Sequence, residues 1–195
     1  MSITPKVLAF AGSTRTASFN KKLVRIAAEE TRRLGAEITL IDLRDFPMPL
    51  YDGDIEAGSG LPENAIKLKG LIATHHGLLL SLAEYNNSLT GVWKNSMDWA
   101  SRAAPGEKTP DSFRGKVAAL LSAAPGKFGG IRGLSHARDV FTELKVIVLP
   151  EQVSVTLAGS AFDQSEQLVD PKLMGAVTTL CTRLVAAVKS LHHLE

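Results

Sequence analysis

The sequence predicts an α/β fold, a three-layer, doubly wound sandwich around an open sheet of five parallel strands. Three observations predict it. Short apolar runs recur along the 195-residue chain and alternate with longer segments whose apolar residues return every three or four positions. The runs lack polar alternation, as strands covered on both faces do. Compositionally unusual loops follow the first, third and fourth runs, where open sheets of this kind place their ligands.

The elements follow in order. Lys6 to Ala11 (KVLAFA) reads as the first strand, closed by Gly12. Phe19 to Leu34 places Leu23, Ile26, Ala27, Glu30 and Leu34 at helical spacing, with Gly35 as the stop. Ala36 to Leu43 is the second strand. Residues 44–62, rich in proline and glycine, predict a long loop, and loops of that length are commonly functional or interfacial. A helix is predicted from Pro62 to Thr74, a third strand over Gly77 to Leu82, and a helix over Leu89 to Ala103 carrying Val92, Trp93, Met97 and Ala100. Lys116 to Ser122 is strand four, Ile131 to Leu144 a helix, Lys145 to Leu149 strand five, and Pro171 to Leu191 the closing helix. At this length the natural arrangement is one domain over residues 1–193, with flavodoxin-like strand order 2-1-3-4-5. Leu194 and Glu195 are set aside as a candidate vector-derived tail.

Composition narrows the function. A net charge of +2, spread along the chain, gives no footprint for nucleic acid. No apolar run approaches the length of a membrane span and the first residues do not resemble a signal peptide, so a cytoplasmic location is the expectation. Cys181 is the only cysteine, which excludes an internal disulfide or a CxxC redox pair, and its apolar helical setting suggests a buried thiol.

The loop after strand one, GSTRTASFN, has the chemistry of an anion site. It lies between a strand and a helix N-terminus, where unbonded N–H groups and the helix dipole favour negative charge. Ser13, Thr14, Thr16 and Ser18 offer hydroxyls, Asn20 an amide and Arg15 a charged fork suited to phosphate oxygens. Relative to GxxxxGK[ST], Ala17 stands for the second glycine and Ser18 for the lysine, and no acidic residue is present to hold Mg²⁺. A terminal monophosphate, gripped and not cleaved, is the expectation. The bland alternative is a polar helix cap at Ser18. After strand three, Glu84-Tyr85-Asn86-Asn87-Ser88 combines an aromatic with amide and hydroxyl groups, which suits a flat heteroaromatic ring. After strand four, PGKFGG allows backbone to approach a ligand closely.

At these residues the chain resembles the NADPH-dependent FMN reductase family, with its patterns G-S-x-R-x-x-S-x-N, P-E-Y-N-x-S-x-x-G-x-x-K-N-x-x-D-W and S-x-x-x-G-x-x-G-G. The likeness runs in order over roughly residues 5 to 150. It implies bound FMN and hydride transfer from NADPH, with NADH a second option, to a quinone, azo compound, metal oxyanion or free flavin. By the same resemblance Ser13, Arg15, Ser18 and Asn20 would hold the FMN phosphate. Glu84, Tyr85 and Asn86 would run along the isoalloxazine ring, and Ser122, Gly129 and Gly130 would border its other side. The family's dimers or tetramers imply a homo-oligomer, with the helix carrying Lys94, Asn95, Asp98 and Trp99 at a subunit boundary. The family's chemistry needs no side-chain acid or base, so no catalytic residue is assigned.

Two departures carry expectations. Ala83 stands where the family has proline, which predicts a looser loop and weaker FMN binding. His75-His76 replaces an Ala-Asp-like pair; without a third ligand no metal site is expected, and both are read as solvated loop histidines. No arginine is assigned to a 2′-phosphate contact from the sequence; Arg102 and Arg132 are named only as options. Two other functions fit the scaffold, a non-enzymatic electron carrier of the flavodoxin type and a regulatory phosphate-binding domain. The pI of about 8.7 argues against an acidic carrier.

Overall fold

The structure, a computed structural model, describes residues 3–104, 106–107 and 111–192. The candidate tail, Leu194 and Glu195, lies outside the described residues. Five parallel strands form the sheet in order β2-β1-β3-β6-β7, namely β1 (Lys6–Ala11), β2 (Glu37–Ile41), β3 (Gly77–Ser81), β6 (Val117–Ala123) and β7 (Ile147–Val155). This is the doubly wound, flavodoxin-like arrangement that the period switches predict.

Side chains alternate across each strand, so successive residues feed two cores. Val7, Ala9, Leu79, Ala119 and Leu121 pack under α1 (Phe19–Arg33) and α6 (Pro171–Leu191). Leu8, Phe10, Leu78, Leu80 and Leu120 pack under α3 (Glu63–Thr74), α4 (Gly91–Ala100) and α5 (Ile131–Glu143). All residues of β3 and β6 are buried, which explains their unbroken apolarity. Helix α6 has the length and hydropathy of a membrane span, contrary to the reading of the sequence. Its Val177, Leu180, Cys181, Leu184 and Val188 nevertheless lie in the core against α1.

Three local differences from expectation matter. The long 44–62 stretch holds a short helix, α2 (Gly53–Ser59), started by the Asp52 carboxylate accepting from Asp54 N at 2.8 Å. Its glycines masked the helical pattern. Residues 84–89 form a hairpin of β4 (Glu84–Tyr85) and β5 (Ser88–Leu89), and α4 therefore starts two residues beyond Leu89. The turn residues Asn86 and Asn87 both take positive φ, 52° and 62°, as a two-residue turn matching strand twist requires. Strand β7 runs past Leu149 through Pro150, because a register shift opposite Ala118 to Leu120 accommodates the residue that cannot donate. Arg138 donates to the carbonyls of Leu149 and Pro150 at 2.8 and 3.1 Å and so supports this irregular edge.

Both adjacent histidines act as structural joints; His75 is buried and not solvated, while His76 is half-buried. His75 is bonded through Nδ1 to Leu71 O at 2.6 Å and through Nε2 to Thr39 Oγ1 at 2.7 Å. His76 Nδ1 accepts from Lys6 N at 3.0 Å, joining α3 to the start of β1. Burial, followed by the neighbouring His192, lowers the His76 pKa from its ordinary value.

Cys181 is fully buried and its Sγ donates to Ala27 O at 3.4 Å. Burial pushes the thiol up to about 11. Near pH 8 almost no thiolate forms, so a thiol-specific chromogenic reagent is expected to find none reactive in the native protein and one after denaturation. Rapid native labelling would show that α6 opens readily.

Candidate functional site

The carboxyl ends of β1, β3 and β6 bring the three predicted loops together. A small cavity of about 40 Å³ is lined by Ser13, Arg15, Ser18 and Asn20 from the first loop, Ala83, Glu84 and Tyr85 from the second, and Ala123 to Pro125 at the start of the third. It has room for a small anion and none for a three-ring system. A larger cavity of about 410 Å³ lies between α1 and β2, lined by Lys21, Val24, Arg25, Leu40, Asp42 and Phe46. None of the predicted site residues lines it, whereas hydroxyls, a guanidinium and a helix N-terminus converge on the small one.

Ser18 is the N-cap residue of α1 and is buried, yet its side chain makes no cap hydrogen bond. The bland alternative, a simple polar cap, is therefore not what this serine does. Its carbonyl accepts from Lys21 N and Lys22 N, while the N–H groups of the first helical positions have no intrahelical partner. Arg15 is exposed, and no carboxylate pairs with it among the described residues. Ser13 is buried and its Oγ accepts from Arg15 N at 3.4 Å.

Asn20 faces the same cavity, but its amide serves the protein. Nδ2 donates to Ala123 O at 2.9 Å, while Oδ1 accepts from Ala123 N at 2.9 Å and Ser81 Oγ at 2.8 Å. It ties the start of α1 to the ends of β3 and β6. Thr90 performs the same service for the other end of the loop, donating from Oγ1 to Gly12 O at 2.8 Å while accepting from Trp93 N.

The second and third loops are joined through α5. Gly130 is the N-cap of that helix and has no side chain to offer; the Glu84 carboxylate accepts from Gly133 N at 2.7 Å in its place. Asn87 Oδ1 accepts from Arg132, and Ser88 Oγ meets His136 Nδ1 at 2.9 Å. These bonds supply restraint that Ala83 cannot. Ser122 lies beneath the third loop, its Oγ donating to Gly129 O. Gly129 and Gly130 take φ of 60° and 85°, and a Cβ on Gly130 would come within 2.9 Å of Ser122 Cβ and Oγ. Both positions thus need glycine. Tyr85, which lines the cavity, and Phe128 in the third loop are 52% and 59% exposed, Phe128 with one face against Arg132.

Of the two arginines named from the sequence, Arg132 lies between the second and third loops, bonded to Asn87 and with its Cζ 4.0 Å from the Phe128 ring centroid. Arg102 sits elsewhere, 5.7 Å from the Tyr51 ring. The K-N-x-x-D-W block also has an internal role. Asn95 Oδ1 accepts from Tyr51 N at 2.7 Å, and Asn95 Nδ2 and Trp99 Nε1 both donate to Pro49 O, pinning the 46–51 segment on α4. Lys94 pairs with Asp98 along the same helix. Among the described residues no group of three or more His, Cys, Asp or Glu is placed to hold a metal.

Fold and site together define a flavodoxin-like α/β protein whose strand ends present a small cavity lined by hydroxyls, an arginine and a helix N-terminus. Residues 5–160 match the family model described as NADPH-dependent FMN reductase, and the chain belongs to that family. It is 38% identical over 175 residues to an NAD(P)H-dependent FMN reductase of Pseudomonas aeruginosa, covering 88% of this chain and 89% of that one. With an NADPH:quinone oxidoreductase of Arabidopsis thaliana the identity is 34% over 170 residues, covering 85% and 82%. Among solved structures the fold is shared with FerB, a flavoenzyme NAD(P)H:(acceptor) oxidoreductase of Paracoccus denitrificans, at a TM-score of 0.81 and 22% identity over 96% of this chain and 98% of that one. The protein is an oxidoreductase that uses FMN with NAD(P)H.

Proposed function

We propose that the cavity of Ser13, Arg15 and Ser18 holds the FMN phosphate, and that the protein reduces a quinone or free flavin at the expense of NADPH. The observation that carries the phosphate reading is Ser18, a buried N-cap hydroxyl that leaves its own helix uncapped and lines a cavity shared with Arg15. Held there by Ser13, Arg15 and Ser18, FMN would supply the redox chemistry between NAD(P)H and the acceptor. The chain's own residues bind and orient. Asn20 and Thr90 fix the loop ends, while the Glu84 and Asn87 bonds set the height of the hairpin against α5. Backbone groups of Glu84 to Asn86 and of the Gly129–Gly130 turn line the mouth where donors favour developing negative charge. Tyr85 and Phe128 offer the apolar surface that a flat ring covers.

NADPH is taken as the donor, with Arg132, which stacks on Phe128 in the third loop, as the arginine to test for a 2′-phosphate contact. The exposed Tyr85, Phe128 and Ile131 around the mouth support a homodimer or homotetramer with the site at a subunit boundary. A lone cysteine, buried in the core, suits a cytoplasmic setting.

Steady-state oxidation of NADPH by the FMN-loaded protein, with a panel of quinones and free flavin as acceptors, tests this function. Turnover with at least one acceptor, and a kcat/KM for NADPH at least several-fold above that for NADH, is expected. Absence of NAD(P)H oxidation with every acceptor would instead favour a carrier that only relays electrons.

A further inference from the structure

The phosphate loop is also held from outside by a residue that no motif marks. Arg44 follows β2, and its Nη2 donates to the Thr14 carbonyl and, at 3.1 Å, to Thr16 Oγ1. Arg44 is itself anchored, its backbone N–H donating to Asp42 Oδ1 at 3.0 Å. The other oxygen of Asp42 takes an ion pair at 2.5 Å from Lys21, a buried lysine on the first turn of α1. A continuous chain of contacts thus runs from α1 through the end of β2 back to the loop.

We propose that Arg44 is a positioning residue for FMN, which sets phosphate affinity by fixing the orientation of the Thr14–Arg15 peptide. This rests on the phosphate reading above. The C=O and N–H of a trans peptide unit point in opposite directions. With the Thr14 carbonyl held by Arg44, the Arg15 N–H on the opposite side of that peptide donates to Ser13 Oγ, and Ser13 lines the cavity. Arg44 lines a different cavity, with Leu43, Phe46 and Met48, and not the one shared by Ser13, Arg15 and Ser18. It therefore acts through the loop. Without it the Thr14 carbonyl would be left to water, and the loop would pay ordering entropy when the anion binds. The Asp42 carboxyl, despite burial that opposes its charge, is held below its ordinary value by Lys21 and by the Arg44 N–H, so the chain of contacts is intact at neutral pH.

The test is fluorescence titration of the full chain, freed of flavin, with FMN and with riboflavin, for the wild type, Arg44→Met and Arg44→Lys. Melting curves of each variant establish that it is folded. For Arg44→Met the FMN Kd is expected to rise about tenfold, the size of one net hydrogen bond. The riboflavin Kd is expected to stay within about twofold, since riboflavin lacks the group the loop holds. Arg44→Lys, which keeps a charge but not the fork, is expected to fall between and carries the test if the methionine variant does not fold. Unchanged FMN affinity, or equal weakening of FMN and riboflavin, would overturn the proposal. A wild type that binds the two flavins equally would remove the phosphate reading itself.

Discussion

Replacing Arg15 with alanine is expected to raise the Kd for FMN about 100-fold, the range of charge-assisted hydrogen bonds to a phosphate. The side chain is exposed and carries no ion pair among the described residues, so its removal leaves no buried group unsatisfied. Melting temperature without flavin should accordingly stay near that of the wild type, as for surface substitutions generally. Lysine at the same position keeps charge but loses the planar fork, and should recover only part of the affinity. Fluorescence quenching of FMN measures the affinity and circular dichroism the fold. Unchanged affinity in a folded Arg15→Ala protein would place the phosphate elsewhere.

Asn20→Leu should behave in the opposite way, acting first on the fold. The side chain is 3% exposed and engages three groups at once, Ala123 N, Ala123 O and Ser81 Oγ. Leucine cannot serve any of them, and each buried group left unpaired costs about 1–3 kcal/mol. Some relaxation toward water in the cavity offsets part of this, so a loss on the order of 3 kcal/mol is expected. For a chain of this size that corresponds to a fall in melting temperature of roughly 10 °C. FMN binding should weaken as well, because the first turn of α1 loses its tie to β3 and β6. A melting temperature within about 2 °C of the wild type would show that the three bonds contribute little.

The contrast between these residues shows what the sequence made legible. Arg15, Ser18 and Asn20 stand together in one motif, and the structure puts all three on one cavity. Their division of labour was not legible, since an asparagine in a motif reads alike whether its amide meets a ligand or Ala123, 103 residues away. Ser122 is a similar case, supporting Gly129 from beneath the loop. Arg44 carried no signal, because its partners lie 28 and 30 residues back in the chain and a charged residue beside Asp45 reads as solvated surface. The strands were clear from apolarity wherever the sheet covers them on both faces. They were least clear in β7, where Pro150 and Glu151 interrupt an edge strand whose irregularity is repaired by Arg138. Helix α2 and the Glu84–Leu89 hairpin were hidden by glycine and asparagine, residues that favour turns whether or not a regular element surrounds them.

The restraint around Ala83 has a similar lesson. A proline there would stiffen the strand exit locally. In this chain the exit is held at a distance, by Glu84 on Gly133, Asn87 on Arg132 and Ser88 on His136. FMN affinity should therefore depend on α5 as much as on the hairpin's own sequence.

The most direct measurement is an anaerobic absorbance titration of the FMN-loaded protein with NADPH. The account predicts a flavin spectrum that stays with the protein through gel filtration and bleaches on addition of one equivalent of NADPH, returning when a quinone is added. A protein that takes up no FMN, or whose bound flavin is not bleached by either NADPH or NADH, would contradict it.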